Sequence, residues 1–459
     1  MMPRNKLKKT QGFNRRKFVK TSAIATGGAL LIPSLLSAKA HVDGDDAIKV
    51  ALIGCGGRGT GAAMQALLTQ QNVNLVAMAD AFRDQLDSCY ATLTADDISD
   101  WSGAEGSVKE RVRVPEEHKF VGFDGYLKAI PLADVVILTT PPGFRPIHFE
   151  EAIRQGKHVF TEKPMATDAP GVRKVLAAAE EAKKKKLNVV VGLQRHYQTI
   201  YREWVERMQA GAIGDIVTSH VYWNNDGVWV RTREEFSQKA GRPLTEMEYQ
   251  MRNWYYFNWL CGDHICEQHI HNLDVGNWVK NAYPVRAQGM GGRQVRVGKD
   301  FGEIFDHHFI EYEYEDGSRM FSQCRHQPGT MSRVTEVFQG SRGFAPRPGV
   351  LVSRSGQEIM KYDDRQDPNP YQVEHDQLFD AIAKGEYRFH DAENGAHATM
   401  TSILGRMASY SGNIVEWEAA INSELSIMPA KFSWDAQPPV LPDKEGMYPC
   451  AVPGKTKVL

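Results

Sequence analysis

A chain of 459 residues is too long for one compact core, so we expect two domains with extensions at the ends. Hydrophobic residues make up 42% and charged residues 24%, an ordinary composition for a soluble globular protein. The formal net charge of −1 argues against a nucleic acid partner and against a polybasic membrane-surface role.

The first forty residues have the pattern of an export signal. The segment Asn14–Lys20 ("NRRKFVK") carries paired arginines and precedes a short, weakly apolar stretch with a small-residue ending. Gly27 and Pro33 interrupt that stretch, which falls short of a membrane span, so no stable membrane insertion is expected. We predict a twin-arginine signal over residues 1–40, with export to the periplasm, and a polar linker over 41–47. Because this route carries folded proteins, the six scattered cysteines are predicted to be mostly free thiols.

The next segment predicts a dinucleotide-binding Rossmann domain over residues 48–167. A short β-rich run, Ile48–Ile53, leads into a helical pattern and then into a second apolar run that ends at Asp80. The turn after the first run has G-x-G-x-x-G spacing, formed by Gly54, Gly56 and Gly59. Such glycines let a pyrophosphate approach the helix N-terminus, and the acidic residue suits the ribose hydroxyls. Asp80 therefore favours NAD, while Arg83 beside it leaves NADP open.

The alternation of strands and helices continues through residue 164. Two further buried strands are predicted to end at Thr139–Pro141 and at Glu162–Pro164. In parallel sheets, ligands bind outside the carboxyl ends of the strands, where these residues fall. Lys163 is thereby a candidate for hydrogen-bonding a substrate hydroxyl beside the cofactor, the alternative being a surface lysine at a strand end.

The motifs "GCGGRG", "HFEEAIRQGKHVFTEKP", "NVVVGLQRHY" and "EHDQLFDAIAKGE" resemble the Gfo/Idh/MocA family, typified by glucose–fructose oxidoreductase and inositol dehydrogenase. The resemblance runs from about Ile48 to about Trp417 and implies an enzyme of the α/β class. It implies NAD(P) in the first domain and a sugar or polyol against an open, mostly antiparallel sheet in an α+β second domain. It also implies a homo-oligomer that pairs through that sheet. The predicted cofactor-binding residues are Gly54, Gly56, Gly57, Arg58, Gly59, Asp80, Thr140, Pro141, His148, Glu162, Lys163 and Gln194.

The second, substrate-binding and dimerisation domain is predicted over residues 168–425, followed by a Pro-rich tail over 426–459 that forms a surface strap or is partly disordered. Alternating segments such as "FIEYEYEDGSRMFSQC" indicate antiparallel hairpin strands. The aromatic-rich segments "YWNNDGVWV" and "RNWYYFNWL" suit sugar recognition, although about half of such residues belong to cores.

The segment Gly262–Asp274 ("GDHICEQHIHNLD") holds three histidines and three carboxylates. If it opens a single helix, one face carries His264, Glu267, His271 and Asp274, and the other sides carry Cys266 and His269. Three interpretations remain: an acid–base site, purely structural histidines, or a metal set of His264, Glu267 and His271 joined by Cys261. A closed zinc site needs four ligands in a recognised spacing, so no metal is predicted.

Acid–base chemistry is the preferred interpretation of this face. His271 would take or return the hydroxyl proton, Glu267 would orient its imidazole, and Lys163 would stabilise charge on the substrate oxygen. The family resemblance implies an aspartate four residues before this histidine, whereas Glu267 is one methylene longer. The predicted substrate-binding residues are Arg195, Tyr197, His264 and Asp274.

These observations predict an exported NAD-dependent oxidoreductase that acts on a sugar or glycoside hydroxyl with a tightly bound, internally recycled cofactor. One alternative is an NAD-dependent glycosidase that works by transient oxidation and elimination. The other is a non-catalytic carbohydrate-binding protein. The sequence leaves open the sugar, the carbon oxidised, the direction of the reaction and the oligomeric state.

Overall fold

The computed structural model describes residues 47–99 and 106–459. The predicted export signal and nearly all of the predicted linker lie outside these residues. The described part of the chain builds two sheets, and none of its helices is both long and apolar enough to cross a membrane. All six cysteines are free thiols.

The first sheet has six parallel strands in the order β3-β2-β1-β4-β5-β6. The strands are β1 Ile48–Ile53, β2 Val73–Asp80, β3 Lys119–Val121, β4 Val135–Leu138, β5 His158–Thr161 and β6 Val189–Val191. The crossover helices are α1 Gly57–Leu68, α2 Arg83–Leu93, α3 Gly125–Ala129, α4 Arg145–Arg154 and α5 Ala169–Lys185. Strands such as β4 ("VVIL") are buried along their whole length, as expected where helices cover both faces of a parallel sheet. This confirms the predicted Rossmann-like domain.

The parallel sheet extends beyond the predicted domain end at residue 167. Strand β6, from the motif "NVVVGLQRHY", pairs with β5 through Val159 and Val189. This strand was predicted to belong to the second domain, but its hydrogen bonds to β5 make it an edge of the first sheet. Gln194 follows β6 directly and so reaches the carboxyl edge where β1, β4 and β5 also end.

The second sheet has nine strands in the order β14-β13-β12-β11-β7-β10-β9-β8-β15. The strands are β7 Ile216–Asn225, β8 Arg286–Gly292, β9 His307–Glu313, β10 Arg319–His326, β11 Arg333–Gly340, β12 Gly343–Arg347, β13 Val350–Ser353, β14 Glu358–Lys361 and β15 Val415–Glu416. All pairs are antiparallel except β7 with β10. The predicted open, mostly antiparallel sheet is therefore confirmed.

The helices of the second domain are α6 Thr199–Gln209, α7 Arg233–Ala240, α8 Glu246–Arg252, α9 Asn258–Cys261, α10 His264–Glu267, α11 Ile270–Lys280, α12 Pro370–Ala383, α13 Ala392–Ser411 and α14 Trp417–Ile421. Helix α13 is buried along most of its length and packs between β8 and α5. It joins the two domains through a hydrogen bond from the Met165 backbone N–H to the Thr399 hydroxyl, at 2.9 Å.

The last part of the chain returns to the first domain. Helix α12 packs on α1, and the Gln372 amide donates to the backbone oxygen of Gln65 at 3.0 Å. In the tail, the Trp434 ring lies 5.0 Å from Phe82 and 4.5 Å from Phe123, centroid to centroid. The tail thus forms a strap that packs aromatic side chains against the Rossmann domain.

Candidate active site

The glycine-rich turn between β1 and α1 is shaped by close backbone contacts. A Cβ at Gly54, whose φ is +97°, would lie 2.6 Å from the backbone nitrogen of Thr140. A Cβ at Gly59 would lie 1.9 Å from the backbone oxygen of Gly54. At Gly56 nothing lies within 4 Å of the Cβ position, so the start of α1 stays open toward the cleft. Two glycines therefore let the turn pack, and the third leaves room for a phosphate at the helix N-terminus.

Asp80 lies at the end of β2, beside this turn. Its carboxylate accepts hydrogen bonds from the backbone N–H groups of Cys55 at 2.7 Å and Phe82 at 2.8 Å. Burial raises its pKa to about 6, so the carboxylate is ionised at neutral pH and above. Arg83 forms ion pairs with Asp87 and Glu116. A carboxylate beside the turn and an arginine engaged elsewhere suit ribose hydroxyls better than a 2′-phosphate.

A cleft of about 360 Å³ runs from this turn between the two domains. The predicted residues that line it are Gly54, Gly56, Gly57, Arg58, Asp80, Thr140, Pro141 and His148. Burial lowers the pKa of His148 to about 3, so its imidazole is neutral and pairs with the Thr140 hydroxyl at 3.2 Å. An open helix start, an ionised carboxylate and an elongated cleft between them fit a dinucleotide.

The end of β5 carries the predicted Glu162 and Lys163. The Glu162 carboxylate accepts a hydrogen bond from Arg58 Nε at 2.5 Å and another from the Lys163 backbone N–H at 3.2 Å. The Lys163 ammonium donates to the backbone oxygen of Glu267 at 2.6 Å and to its Oε1 at 3.0 Å. Lys163 therefore connects the Rossmann domain to the second domain by an ion pair whose side chains are 12% and 11% exposed.

Glu267 has a different partner from the predicted one. The chain forms two short helices here, α10 and α11, with a break at Gln268 and His269, so helical spacing does not carry across the segment. Glu267 binds Lys163 rather than His271, and its Oε2 has no hydrogen-bond partner among the described residues. The prediction that Glu267 orients the imidazole is corrected: it positions the ammonium instead.

His271 lies in the second domain at the start of α11. Its Nδ1 is buried and has no hydrogen-bond partner in the described part of the chain. Burial, together with the positive charges of Lys163 and Arg195, holds its pKa well below the usual value. The ring stacks beside Trp223 with centroids 6.0 Å apart. His271 is therefore a neutral imidazole with one nitrogen free to accept a proton, in the electrostatic field of Lys163.

His264 does not share a face with His271. Its side chain has no exposed surface, and its Nδ1 pairs with Asp263 at 2.7 Å. The ring packs 4.9 Å from His308 and 4.7 Å from His326. This burial corrects the prediction that His264 binds substrate. His269 is also buried, with its Nε2 2.8 Å from the Ser322 hydroxyl, as expected for a residue pointing away from the site.

The described residues contain one group with metal-ligating side chains close together, namely Asp263, His264 and His308, whose ligand atoms lie within 4.8 Å of one another. It differs from the set considered from the sequence. The Asp263 oxygens already accept hydrogen bonds from the His264 backbone, the Phe305 backbone and the Tyr410 hydroxyl. The Asp263 carboxylate is therefore engaged by protein donors, whereas Nε2 of His264 and Nε2 of His308 are buried without a hydrogen-bond partner among the described residues.

The other predicted substrate-binding residues take part in buried pairs. Arg195 forms an ion pair with Glu336. The Tyr197 hydroxyl donates to Asp391 at 2.6 Å. Asp274 lies 2.7 Å from His196 Nε2 and accepts a hydrogen bond from the Asn394 amide at 3.1 Å. These contacts use the Tyr197 hydroxyl hydrogen and one of the five N–H donors of Arg195.

Gln194, predicted to bind the cofactor, keeps a buried amide oxygen without a hydrogen-bond partner among the described residues. Its place after β6 puts it at the edge where Lys163 also lies. An unpaired amide oxygen suits a carboxamide donor such as that of a nicotinamide.

Sequence reasoning missed the far wall of the cleft. That wall comes from the second domain and consists of Trp229, Arg231, Phe236, Met251, Arg252 and Trp254. The aromatic-rich segments that contribute it were visible in the sequence but were assigned to sugar recognition. Of the aromatic residues in "RNWYYFNWL", only Trp254 lines the cleft, whereas Tyr255, Tyr256, Phe257 and Trp259 are core residues.

Comparison with known proteins gives three results. Residues 48–192 match the Gfo/Idh/MocA model, described as an oxidoreductase family with an NAD-binding Rossmann fold. The chain is 26% identical over 288 residues to inositol 2-dehydrogenase 3 of Saccharopolyspora erythraea, covering 61% of this chain and 76% of that one. It is 27% identical over 307 residues to inositol 2-dehydrogenase of Serratia proteamaculans, covering 64% and 80%.

Two solved structures show the same fold. Aldose-aldose oxidoreductase from Caulobacter crescentus, complexed with glycerol, aligns with a TM-score of 0.59 and 18% identity, over 81% of this chain and 100% of that one. Scyllo-inositol dehydrogenase from Lactobacillus casei, with bound NAD(H) and scyllo-inositol, aligns with a TM-score of 0.57 and 17% identity, over the same shares.

Proposed function

We propose that the chain, which matches the Gfo/Idh/MocA oxidoreductase family over residues 48–192, is a member of that family and oxidises or reduces a hydroxyl group of a sugar or glycoside while keeping its NAD bound. The observation that carries this proposal is that Lys163 and His271 lie close enough for the ammonium to depress the pKa of the imidazole. One supplies a fixed positive charge, and the other supplies a neutral, unpartnered imidazole nitrogen.

The residues divide the chemistry of a CH–OH group between them. Bound NAD supplies the hydride acceptor in one direction and the hydride donor in the other. During oxidation, the His271 imidazole accepts the hydroxyl proton while the C–H hydrogen leaves as hydride. Lys163 holds the substrate oxygen and stabilises the negative charge that develops there. Glu267 fixes the ammonium through two contacts and so limits its movement.

The substrate class follows from the chemistry of the site and from the relatives. The relatives are named for inositol and aldose substrates, which are ring polyols and sugars. Trp223 beside His271 offers an aromatic face of the kind that packs on sugar rings. A sugar or glycoside hydroxyl therefore suits the site, and a second sugar that carries a carbonyl group would be reduced in the same site in the second half of the cycle.

A panel of glycosides and free sugars tests this function. Incubation with catalytic amounts of protein should give keto-sugar and the matching reduced acceptor, measured by mass spectrometry. Release of the aglycone without net oxidation would instead support the glycosidase. Sugar binding without either product would support a carbohydrate-binding protein.

A matched pair of variants tests the role of His271. His271→Asn should abolish hydride exchange with bound nicotinamide while leaving the NAD content unchanged. His269→Asn replaces a core imidazole that contacts Ser322. This variant should lower stability but leave the catalytic proton acceptor in place. Wild-type turnover by His271→Asn would remove it as the base.

We also propose export through the twin-arginine route, which rests on the sequence of residues 1–40 alone. Scarce free NAD outside the cytoplasm would then explain a retained cofactor. Replacing Arg15 and Arg16 together by lysine should hold the protein in the cytoplasm with NAD bound. Unchanged export of this variant would count against the route.

We propose a homo-oligomer formed through the second sheet. Residues along β10 alternate between half-buried and buried, so one sheet face is partly open to solvent. Light scattering with size-exclusion chromatography measures the assembly, and a monomer across micromolar concentrations would contradict it.

A further inference from the structure

The segment between β7 and α9 lies across the cofactor cleft from the glycine turn. It contains α7 and α8 and contributes the far wall of the cleft, from Trp229 to Trp254. The turn side of the cleft offers backbone N–H groups at the start of α1, which has no acidic residue in its first turn. A dinucleotide in this cleft therefore contacts both domains.

Three arginines line the cleft, and they differ in whether their charge is already paired. Arg58 forms an ion pair with Glu162. Arg252 forms an ion pair with Asp84 at 2.8 Å. Arg231 has no ion pair with a carboxylate in the described part of the chain, so its charge is available to an anion. This availability distinguishes it from the other two.

Aromatic rings hold the Arg231 guanidinium in place. It lies 4.9 Å from the centroid of Trp229 and 5.8 Å from that of Phe236. Its backbone N–H donates to the Asn253 side chain at 2.9 Å, which ties this part of the segment to the end of α8. A guanidinium held between rings, with its donors unpaired, is arranged to bind an anion at little cost in side-chain entropy.

The position of Arg231 along the cleft indicates which part of a dinucleotide it meets. At the adenosine end, Arg252 stacks on Phe82 at 3.6 Å and lies 5.2 Å from Phe236. At the other end, Trp229 packs 6.2 Å from Tyr255, whose pKa is raised by burial and by the charge of Glu267. Arg231 lies between Phe236 and Trp229, and so between the adenosine end and the catalytic end.

We propose that Arg231 binds the pyrophosphate of NAD from the side opposite the glycine turn, so that the second domain holds the cofactor in the cleft. This inference rests on the proposed function, because it takes NAD as the occupant. The pyrophosphate is the charged centre of a dinucleotide, and a planar guanidinium binds it through paired hydrogen bonds. With helix N–H groups on one side and Arg231 on the other, NAD leaves only after both contacts break.

Exchange of bound NAD tests the inference. Wild-type protein loaded with NAD is mixed with excess isotopically labelled NAD, and the bound pool is measured by mass spectrometry over time. Arg231→Ala should exchange about tenfold faster or more, as expected for the loss of a charge-assisted hydrogen bond. Arg231→Lys keeps the positive charge but loses the paired hydrogen bonds of the planar guanidinium. It should exchange NAD at a rate between those of wild type and Arg231→Ala. The control is Arg242→Ala on the same segment, whose exposed side chain pairs with Glu248 and should leave exchange unchanged.

The outcomes separate this inference from the proposed function. If wild-type protein binds NAD and Arg231→Ala exchanges it at the wild-type rate, the clamp is refuted while the oxidoreductase stands. If Arg231→Ala exchanges NAD normally but raises KM for the sugar, the arginine belongs to the substrate site and the inference is overturned. Wild-type protein that binds no NAD would overturn both. Circular dichroism of Arg231→Ala and Arg231→Lys checks that each variant is folded.

Discussion

The ion pair between Lys163 and Glu267 gives a prediction that separates catalysis from structure. The two side chains are 12% and 11% exposed, so the pair is largely shielded from water. Lys163 donates to Oε1 of Glu267, and Oε2 has no hydrogen-bond partner among the described residues. In Lys163→Met, the Glu267 carboxylate therefore loses its only hydrogen-bond donor in that part of the chain. The variant must therefore bury an unpaired charge or take up a proton on Glu267.

The size of this effect follows from the burial of the pair. Removing one partner of a buried ion pair costs about 3–5 kcal/mol, and partial exposure places Lys163→Met near the lower end, at about 3 kcal/mol. Glu267→Gln keeps a carbonyl acceptor for the ammonium and leaves the backbone contact at 2.6 Å, so it should cost about 1 kcal/mol. The double variant removes both charges and should recover at least about 1 kcal/mol relative to Lys163→Met.

Two measurements on the same four proteins provide the assay. Urea unfolding at pH 7, followed by tryptophan fluorescence on NAD-free protein, gives the shifts in free energy and hence the coupling. Single-turnover hydride transfer gives activity, which should fall by about a factor of 100 or more in every variant that lacks Lys163. The double variant should thus be restored in stability but remain inactive.

A matched surface pair serves as the control, and two results would refute the reasoning. Lys174 and Glu150 are 40% and 51% exposed and should couple by less than about 0.5 kcal/mol. Additive losses at Lys163 and Glu267 would show that the pair is not energetically coupled. Normal turnover by the double variant would show that the ammonium has no catalytic role.

Three further predictions concern the turn, the base and a buried arginine. The pKa of His271 lies well below 6.5, and a general base must be unprotonated to act. The rate of hydride transfer should therefore fall only as the pH drops well below 6.5. A single-turnover pH profile in which the rate falls with a midpoint at or above pH 6.5 would contradict this. Gly59→Ala places a methyl group 1.9 Å from a backbone oxygen of the turn and should abolish NAD binding in calorimetry. In Gly57→Ala, nothing lies within 4 Å of the new methyl group, so this variant should lose far less stability than Gly59→Ala. Arg195→Met leaves Glu336 buried without its ion pair and should lower the free energy of urea unfolding by about 3 kcal/mol; a loss below about 1 kcal/mol would refute this.

The Rossmann half of the molecule was predictable because its signals are local. A buried run, a glycine turn, a helix and an acidic residue at Asp80 lie within a single stretch of sequence, and each has a physical reason for its spacing. The same local reasoning placed the end of the domain at residue 167, before strand β6. That boundary depends on which strand pairs with β5, and strand pairing is a property of distant segments.

The catalytic segment shows where such reasoning stops. Helical spacing put His264, Glu267 and His271 on one face, but the chain breaks at Gln268 and His269 and starts a new helix. Asp263, with a φ of +72°, begins the first of these helices in a conformation that spacing alone does not reveal. The partner of Glu267 is Lys163, 104 positions away, so it depends on how the two domains dock.

The far wall of the cleft was missed for a related reason. The sequence "YWNNDGVWV" does not distinguish aromatic residues that pack on a sugar from those that pack on a cofactor or in a core. Only the return of this segment across the glycine turn assigns Trp229 to the cofactor cleft. Composition therefore predicted the kind of surface, while its location required the structure.

The return of helix α12 and the tail to the Rossmann domain bears on how the protein folds. Contacts such as Gln372 with Gln65 join positions 307 residues apart, and Met165 with Thr399 joins positions 234 apart. Pairings this distant slow the search for the native state, because a long loop must close before any contact stabilises it. The Rossmann domain is thus completed by segments that follow the second sheet in the sequence. We expect the cofactor cleft to acquire its final shape only after helix α12 and the tail segment that carries Trp434 have been synthesised.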